Sequence, residues 1–489
     1  MIATACLQGQ HTKQLALYPK YSIISIMPAN YDSNIKTQLR KLPSVDQLLE
    51  ITEIKNLIES NSRNLVLKII RKQIAISRDS IKRGLQPPTI EKLVSDIENQ
   101  ASSEWDTWPY QVINGTGVII HTNLGRAPLS EDSISTVQKI ATNYSNLELD
   151  LDTGKRGSRN TSISTLISQI TGSEAALAVN NNASAMMLTL ATLASRKEVI
   201  VSRGESVEIG GGFRIPDVLR QNNVELIEVG TTNRTYISDY ESAINESTGA
   251  ILTVHTSNFK VTGFTHSPSI HELVQLGEKT NIPVIHDLGS GCLIDTRDFD
   301  LEYEPMPQDS IKAKTSVTLF SGDKLLGGPQ SGIIIGKKHF IDQISKHPIA
   351  RAVRLDKLSM AALNATLLHY VKDEVNEKIP VWKMISTPLV EIQSRACNWM
   401  DSLGENVDIE EGFSTIGGGS MPGQLISTTL VTIPGKKFGG AEKLAYELRK
   451  SCPAILGRIE NEKIILDPRT VLPEQDQILI ESIKTILNS

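Results

Sequence analysis

From residue 105 onward the chain alternates short apolar runs with helix-like stretches, and this alternation constrains its fold more than any other feature. The runs fall at 118–120, 177–179, 199–201, 226–229, 251–254, 283–286, 317–320 and 333–335. Strands separated by helices pack as an α/β layer structure around a mostly parallel sheet, so residues 105–346 are expected to form one large domain. From about His347 a long helical stretch leads to Gly417-Gly418-Gly419, a strand-like run at 425–433, a helical pattern at 441–449 and a further apolar run at 464–466. Residues 347–489 therefore read as a smaller α+β domain.

Residues 39–104 carry a different period. Ile54, Leu57, Ile58, Leu65, Ile69, Ile70, Ile74 and Ile81 recur mostly at spacings of three, four and seven, the stripe of amphipathic helices. Residues 1–38 lack sustained periodicity and read as a poorly ordered extension. An apolar stretch at 21–27, preceded by Lys13 and Lys20, is too short and mixed for a secretory signal. No apolar run approaches the roughly 20 residues of a membrane span. Cys6, Cys292, Cys397 and Cys452 are scattered, with neither a CxxC pair nor a metal-ligand cluster. A soluble cytoplasmic protein with reduced thiols and no bound metal is expected.

The net charge of −5 argues against a wholly basic nucleic-acid coat, yet charge is unevenly spread. Lys55, Arg63, Lys68, Arg71, Lys72, Arg78, Lys82 and Arg83 are opposed within their segment by Glu59 and Asp79 alone. Such a patch suits nucleic-acid phosphates, and equally a solvated helix face.

Chemistry concentrates at the ends of the apolar runs. Lys324 follows the run at 317–320 and is trailed by Gly327 and Gly328, which let backbone pass close to a flat ring. A lysine so placed can form an imine with the aldehyde of pyridoxal phosphate (PLP). Asp287 ends the run at 282–286, where a carboxylate would keep the pyridine nitrogen protonated or simply cap the following turn. Asn182, Ala183 and Ser184 open a helix-like stretch after another run, and free N–H groups at a helix start suit the cofactor phosphate. Plain N-capping explains the same residues taken singly. Ser321 offers a further hydroxyl.

Together these segments resemble the bacterial selenocysteine synthases, the L-seryl-tRNA(Sec) selenium transferases, a family of fold-type-I PLP enzymes. The resemblance is carried by Leu42-Pro43-Ser44-Val45-Asp46, Ile113-Asn114-Gly115-Thr116-Gly117, and His121-Thr122-Asn123-Leu124-Gly125-Arg126-Ala127-Pro128-Leu129. It extends through Arg203-Gly204-Glu205 with Ile209-Gly210-Gly211, Gly230-Thr231-Thr232-Asn233-Arg234, His255-Thr256-Ser257-Asn258 and Asp287-Leu288-Gly289-Ser290-Gly291. It closes with residues 321–330 and Asp467-Pro468-Arg469-Thr470-Val471-Leu472-Pro473. It covers about residue 39 to the C-terminus.

The resemblance implies conversion of seryl-tRNA(Sec) to selenocysteinyl-tRNA(Sec): an aldimine with PLP, loss of the serine hydroxyl to an aminoacrylyl group, and addition of selenium from selenophosphate. Lys324 is then the base and Asp323 assists the departing hydroxyl. Arg126, Arg351 and Arg354 hold selenophosphate through guanidinium forks, the last two read as sharing a helix face, with Arg159 a further candidate. Thr231 and Thr232 are expected to hydrogen-bond substrate. The helical module is implied to contact tRNA, which selects the phosphate-binding reading of Lys68, Arg71 and Lys72. Homodecamers built from dimers are implied as well. Two rivals remain: a PLP lyase of a small amino acid or amino sugar, disfavoured by the basic helical module, and a non-catalytic tRNA-binding protein, disfavoured by the intact lysine and aspartate. Of His255 and His286, at least one is expected to be a satisfied core histidine.

Overall fold

The computed structural model describes residues 35–105, 108–206, 208–209, 213–221 and 223–488. Most of the N-terminal extension, residues 1–34, and Gly210-Gly211 of the family string lie outside the described residues. The chain divides into two compact units, Met1–Tyr110 and Gln111–Ser489.

In the first unit, helices α1 (Val45–Leu49), α2 (Thr52–Ser60), α3 (Arg63–Lys82) and α4 (Ile90–Trp105) follow one another. Ser44 opens α1 with a capping box closed by Gln47, which satisfies two otherwise orphaned N–H groups. Leu48, Ile54, Val66, Ile69, Ile70, Ile74, Leu93 and Ile97 form its core. Leu65, which the periodicity assigns to that stripe, is exposed instead, because Val66 takes the inward position on α3.

The second unit is organised by a seven-stranded sheet: β1 (Ala175–Val179), β2 (Glu198–Ser202), β3 (Glu225–Val229), β4 (Thr248–Val254), β5 (Val284–Gly289), β6 (Val317–Ser321) and β7 (Gly332–Gly336). Their spatial order is β1-β7-β6-β5-β4-β2-β3. β7 runs antiparallel to both neighbours, and the other pairs are parallel. The central strands are buried along nearly their whole length, which explains why they read as continuous apolar runs rather than alternating ones. Because six strands point the same way, the loops after β1, β2, β4, β5 and β6 emerge along one edge. At that edge Gly332 must be glycine: a Cβ there would lie 2.2 Å from the Asn181 carbonyl oxygen.

A second, five-stranded sheet orders Arg458–Glu460, Lys463–Leu466, Leu425–Pro434, Asp408–Gly417 and Val118–Ile120. This corrects the sequence-based division. Val118–Ile120, expected to begin the large α/β domain, pairs in parallel with Asp408–Gly417, and Val112–Asn114 pairs with Ala454–Leu456. Partners some 300 residues away leave no local periodicity to read. The same sheet explains the Asp467-Pro468-Arg469 string. Buried Asp467 accepts from Ser414 Oγ (2.6 Å), Thr428 Oγ1 (2.8 Å) and the Arg469 N–H (2.9 Å). Arg469 donates to the carbonyls of Met384, Thr387 and Ser427. Both side chains act as staples, since buried charged groups require such partners.

Candidate active site

Lys324 lies just past the end of β6 and is 5% exposed. Burial pushes its amine below the ordinary lysine pKa; the neighbouring carboxylate of Asp287 opposes the shift and Arg126 reinforces it. A larger share of the amine is thereby neutral and nucleophilic at a given pH. Its Nζ donates to the Gly419 carbonyl at 3.2 Å.

Asp287, on the adjacent strand β5, is 3% exposed. Burial pushes its pKa up, while a hydrogen bond from Asn182 and the Lys324 charge pull it back. Asn182 Nδ2 donates to Asp287 Oδ1 at 2.8 Å, and the Gly289 N–H donates to the same oxygen at 3.1 Å. The carboxylate is thus oriented from two sides.

The helix Asn182–Leu193 begins beside them. Asn181 is its N-cap, accepting from the Ser184 N–H at 2.8 Å, so the N–H groups of Asn182 and Ala183 are left without an intrahelical acceptor. The phosphate cradle expected at this helix start rests on backbone N–H groups; the Asn182 side chain reaches Asp287, and Asn181 does the capping. Asn182 Oδ1 and Ser290 Oγ are buried with no hydrogen-bond partner among the described residues, a state that buried polar atoms rarely keep. Ser321, at the end of β6, is 6% exposed.

Asp323, 7% exposed, pairs with Arg126 Nη1 at 2.6 Å. Arg126 adopts a φ of 63°, following Gly125 in the same left-handed region.

Arg351 and Arg354 depart from the sequence expectation of one helical face. Arg351 sits in the short helix Pro348–Ala352, whereas Arg354 lies past its C-cap, Val353. Arg354 forms a β-bridge with Val179, and the Val353 carbonyl accepts from the Asn180 N–H at 2.8 Å. The segment therefore adjoins the loop that leads into Asn182. Arg354 Nη1 lies 3.6 Å from Glu148, which also pairs with Arg156 and closely with Arg159. Arg159 additionally donates to the Leu355 carbonyl at 2.9 Å and lines a cavity with Lys357 and Met360 whose lining does not include Lys324 or Asp287.

Thr231 and Thr232 line a cavity of about 660 Å³ walled by residues of β2, β4 and β5, with His255, His286 and Glu205 but not Lys324 in its lining. Thr231 Oγ1 is turned back on its own loop, donating to the Arg234 carbonyl at 3.0 Å. His286, on the cavity wall, has a hydrogen-bonded ring: its Nδ1 meets Ser310 Oγ at 2.8 Å, and desolvation pushes its pKa down to about 3. His255 differs, since its Nε2 is buried without a hydrogen bond and faces Glu304 at 3.6 Å.

Glu205 accepts from the Val254 N–H and Thr253 Oγ1, and burial nevertheless raises its pKa to about 7. A carboxyl whose pKa rises on folding contributes fully below its unfolded value of 4.5, and that contribution is lost as pH climbs through about 7. Glu205→Gln is expected to flatten the pH dependence of unfolding free energy between about pH 4.5 and 7, by up to roughly 3 kcal/mol. Denaturant melts at a series of pH values measure it.

On α3, Lys68 and Arg71 are exposed. Lys72 pairs with Glu104 at 3.2 Å.

Sequence reasoning overlooked Gly419, Ser290, Glu304 and the Asn182–Asp287 bond. All depend on contacts between distant segments, which neither spacing nor composition encodes.

The strand order, with a buried lysine, an oriented carboxylate and a helix start along one sheet edge, defines an enzyme of the fold-type-I class. The chain belongs to the L-seryl-tRNA selenium transferase family, which it matches over residues 112–472; residues 39–78 match the family described as selenocysteine synthase N terminal. It is 46% identical over 446 residues to the L-seryl-tRNA(Sec) selenium transferase of Carboxydothermus hydrogenoformans, covering 89% of this chain and 95% of the relative. It is also 46% identical over 459 residues to that of Clostridium botulinum strain Loch Maree, covering 92% and 99%. Among solved structures, a D-glucosaminate-6-phosphate ammonia-lyase shares the fold with a TM-score of 0.56 at 20% identity, covering 82% of this chain and 98% of that one.

Proposed function

We propose that the chain converts L-seryl-tRNA(Sec) to L-selenocysteinyl-tRNA(Sec) with selenophosphate, using PLP held on Lys324. The observation that carries this reading is the grouping of Lys324, Asp287 and the start of the Asn182–Leu193 helix at one sheet edge, in a chain of this family. The residues fit the cofactor. The lysine is buried and its amine pKa lowered, Asp287 is buried and oriented, and Asn182 Oδ1 and Ser290 Oγ await partners.

When bound, PLP supplies an aldehyde that captures amines and a pyridinium ring that accepts the electrons of a broken Cα–H bond. Asp287 would keep the ring nitrogen protonated. The Asn182 and Ala183 N–H groups and the Ser184 and Ser321 hydroxyls would hold the phosphate. Lys324 Nζ takes the α-proton of the seryl group, and Asp323 relays that proton to the β-oxygen as the C–O bond breaks and water leaves. Arg126, Arg351 and Arg354 hold selenophosphate; its selenium adds at the β-carbon, the Se–H proton returns to the α-carbon through Lys324 Nζ, and water takes the phosphoryl group as the P–Se bond breaks, releasing phosphate. Thr231 and Thr232, in the cavity beside His255, hydrogen-bond substrate there, and Arg159 shapes the Glu148 loop beside Arg354. The test is conversion of seryl-tRNA(Sec) plus selenophosphate by PLP-loaded protein. Folded, loaded protein that makes no selenocysteinyl-tRNA(Sec) would sink the reading.

We assign residues 39–104 to tRNA binding, the seven-stranded sheet within 105–346 to the cofactor, and residues 347–489 with the strands Val112–Asn114 and Val118–Ile120 to the smaller domain, in a cytoplasmic homodecamer. Light scattering is expected to give a mass near ten times the 53.6 kDa chain; a monomer or dimer overturns the assembly. Replacing Lys68, Arg71 and Lys72 with alanine is expected to weaken tRNA binding and make the log–log salt dependence shallower by roughly two. Two rather than three is expected because Lys72 already has Glu104 as partner. An unchanged slope in a filter-binding salt series removes the patch from the interface.

A further inference from the structure

The amine of Lys324 meets a carbonyl from the second sheet. Residues 417–420 follow the strand Asp408–Gly417 and reach across to β6, where the Gly419 oxygen accepts from Nζ at 3.2 Å. The loop is held firmly. Gly418 N–H donates to the Ile120 carbonyl at 3.0 Å, and Ser420 N–H to the Gly417 carbonyl at 3.2 Å. Gly417 and Gly419 have φ of 103° and 78°, a region that only glycine enters without strain. Close approach adds a second requirement. A Cβ on Gly419 would fall 2.5 Å from Lys324 Nζ, and one on Gly418 would fall 2.3 Å from Thr122 Cγ2.

The charged groups acting on the amine are Asp287, Asp323, Glu304 and Arg126. Their pull depends on whether the amine carries a proton. A carbonyl accepts an N–H from a neutral or a protonated amine alike, so it can direct a four-carbon side chain in both states. We propose that the Gly419 carbonyl anchors the Lys324 amine whenever that amine is not covalently bound, making loop 417–420 the positioning element of the reaction's base. The inference rests on the reading of Lys324 as the PLP lysine. It identifies a positioning group in the smaller sheet, so capture of the aldehyde and removal of the α-proton both depend on where that sheet holds the loop.

Gly419→Ala separates the anchor from the fold, because the atom its Cβ meets is the movable end of a side chain. Gly423→Ala is the control: Gly423 also has a positive φ of 80°, but a Cβ there meets nothing within 4 Å. Cofactor-free protein is mixed with PLP, and the visible band of the lysine-bound cofactor is followed with time. Gly419→Ala is expected to capture PLP about 10- to 100-fold more slowly than wild type, while Gly423→Ala stays near wild type and both keep the wild-type far-ultraviolet spectrum. Gly418→Ala is expected to slow capture through the loop, and Thr122→Ser, which removes the methyl it strikes, to restore it. This pair decides the matter should Gly419→Ala not fold. Equal rates for Gly419→Ala and wild type, or equal slowing by Gly419→Ala and Gly423→Ala, overturn the anchor. With Gly419→Ala unfolded, a Gly418→Ala rate equal to wild type, or slowing that Thr122→Ser leaves in place, overturns it too. Wild-type protein that captures no PLP at Lys324 overturns the cofactor reading itself, and the anchor with it.

Discussion

Lys324→Ala protein is expected to stay colourless with PLP and to lose selenium transfer by on the order of 10⁴-fold or more, the scale of removing a group that works as part of a catalytic unit. The size follows from how many tasks the proposed function puts on one atom: Nζ as covalent anchor, then as base. Lys324→Arg should do no better, because guanidinium stays protonated and cannot form the imine. Borohydride treatment of loaded wild-type protein should fix the cofactor to the peptide containing Lys324 and leave the alanine variant unlabelled. Label on another lysine would show that the buried amine beside Asp287 is not the anchor.

The place of Lys324 at a strand end is readable from sequence, because a parallel sheet concentrates its chemistry at strand ends. Lys324 and Asp287 each follow an apolar run, and those runs are the neighbouring strands β6 and β5. Asn182 is legible as part of a helix start, but the bond from its side chain to Asp287 is not. A helix N-terminus announces itself through Asn and Ser, whereas the reach of one amide to a carboxylate 105 residues away does not. The basic residues of α3 were visible as a count, but the pairing of Lys72 with Glu104 joins two helices and was not. Arg351 and Arg354 have helical spacing, yet the helix stops between them, where the chain turns to bridge Val179. The short strand Val118–Ile120 was correctly read as a strand and given to the wrong sheet, since an apolar triplet carries no label for its partner.

Asp323 and Arg126 make the second large prediction, because their 2.6 Å contact allows two roles for the carboxylate. If Asp323 relays the proton to the departing oxygen, Asp323→Asn should lower kcat by about 10²- to 10⁴-fold and leave KM for seryl-tRNA(Sec) nearly unchanged. An amide keeps the shape and a hydrogen bond but cannot relay a proton. If Asp323 merely holds Arg126, the same variant should instead raise KM for selenophosphate, and Arg126→Ala should reproduce its effect. The double variant separates the two. Residues in direct contact couple, so its loss in kcat/KM should fall well short of the product of the single losses. Selenophosphate KM should rise in Arg126→Ala, whose anion-binding fork is gone, while the kcat defect stays with Asp323→Asn. Near-normal kcat in Asp323→Asn would remove the carboxylate from the proton path and leave Lys324 to carry the α-proton to the leaving oxygen alone.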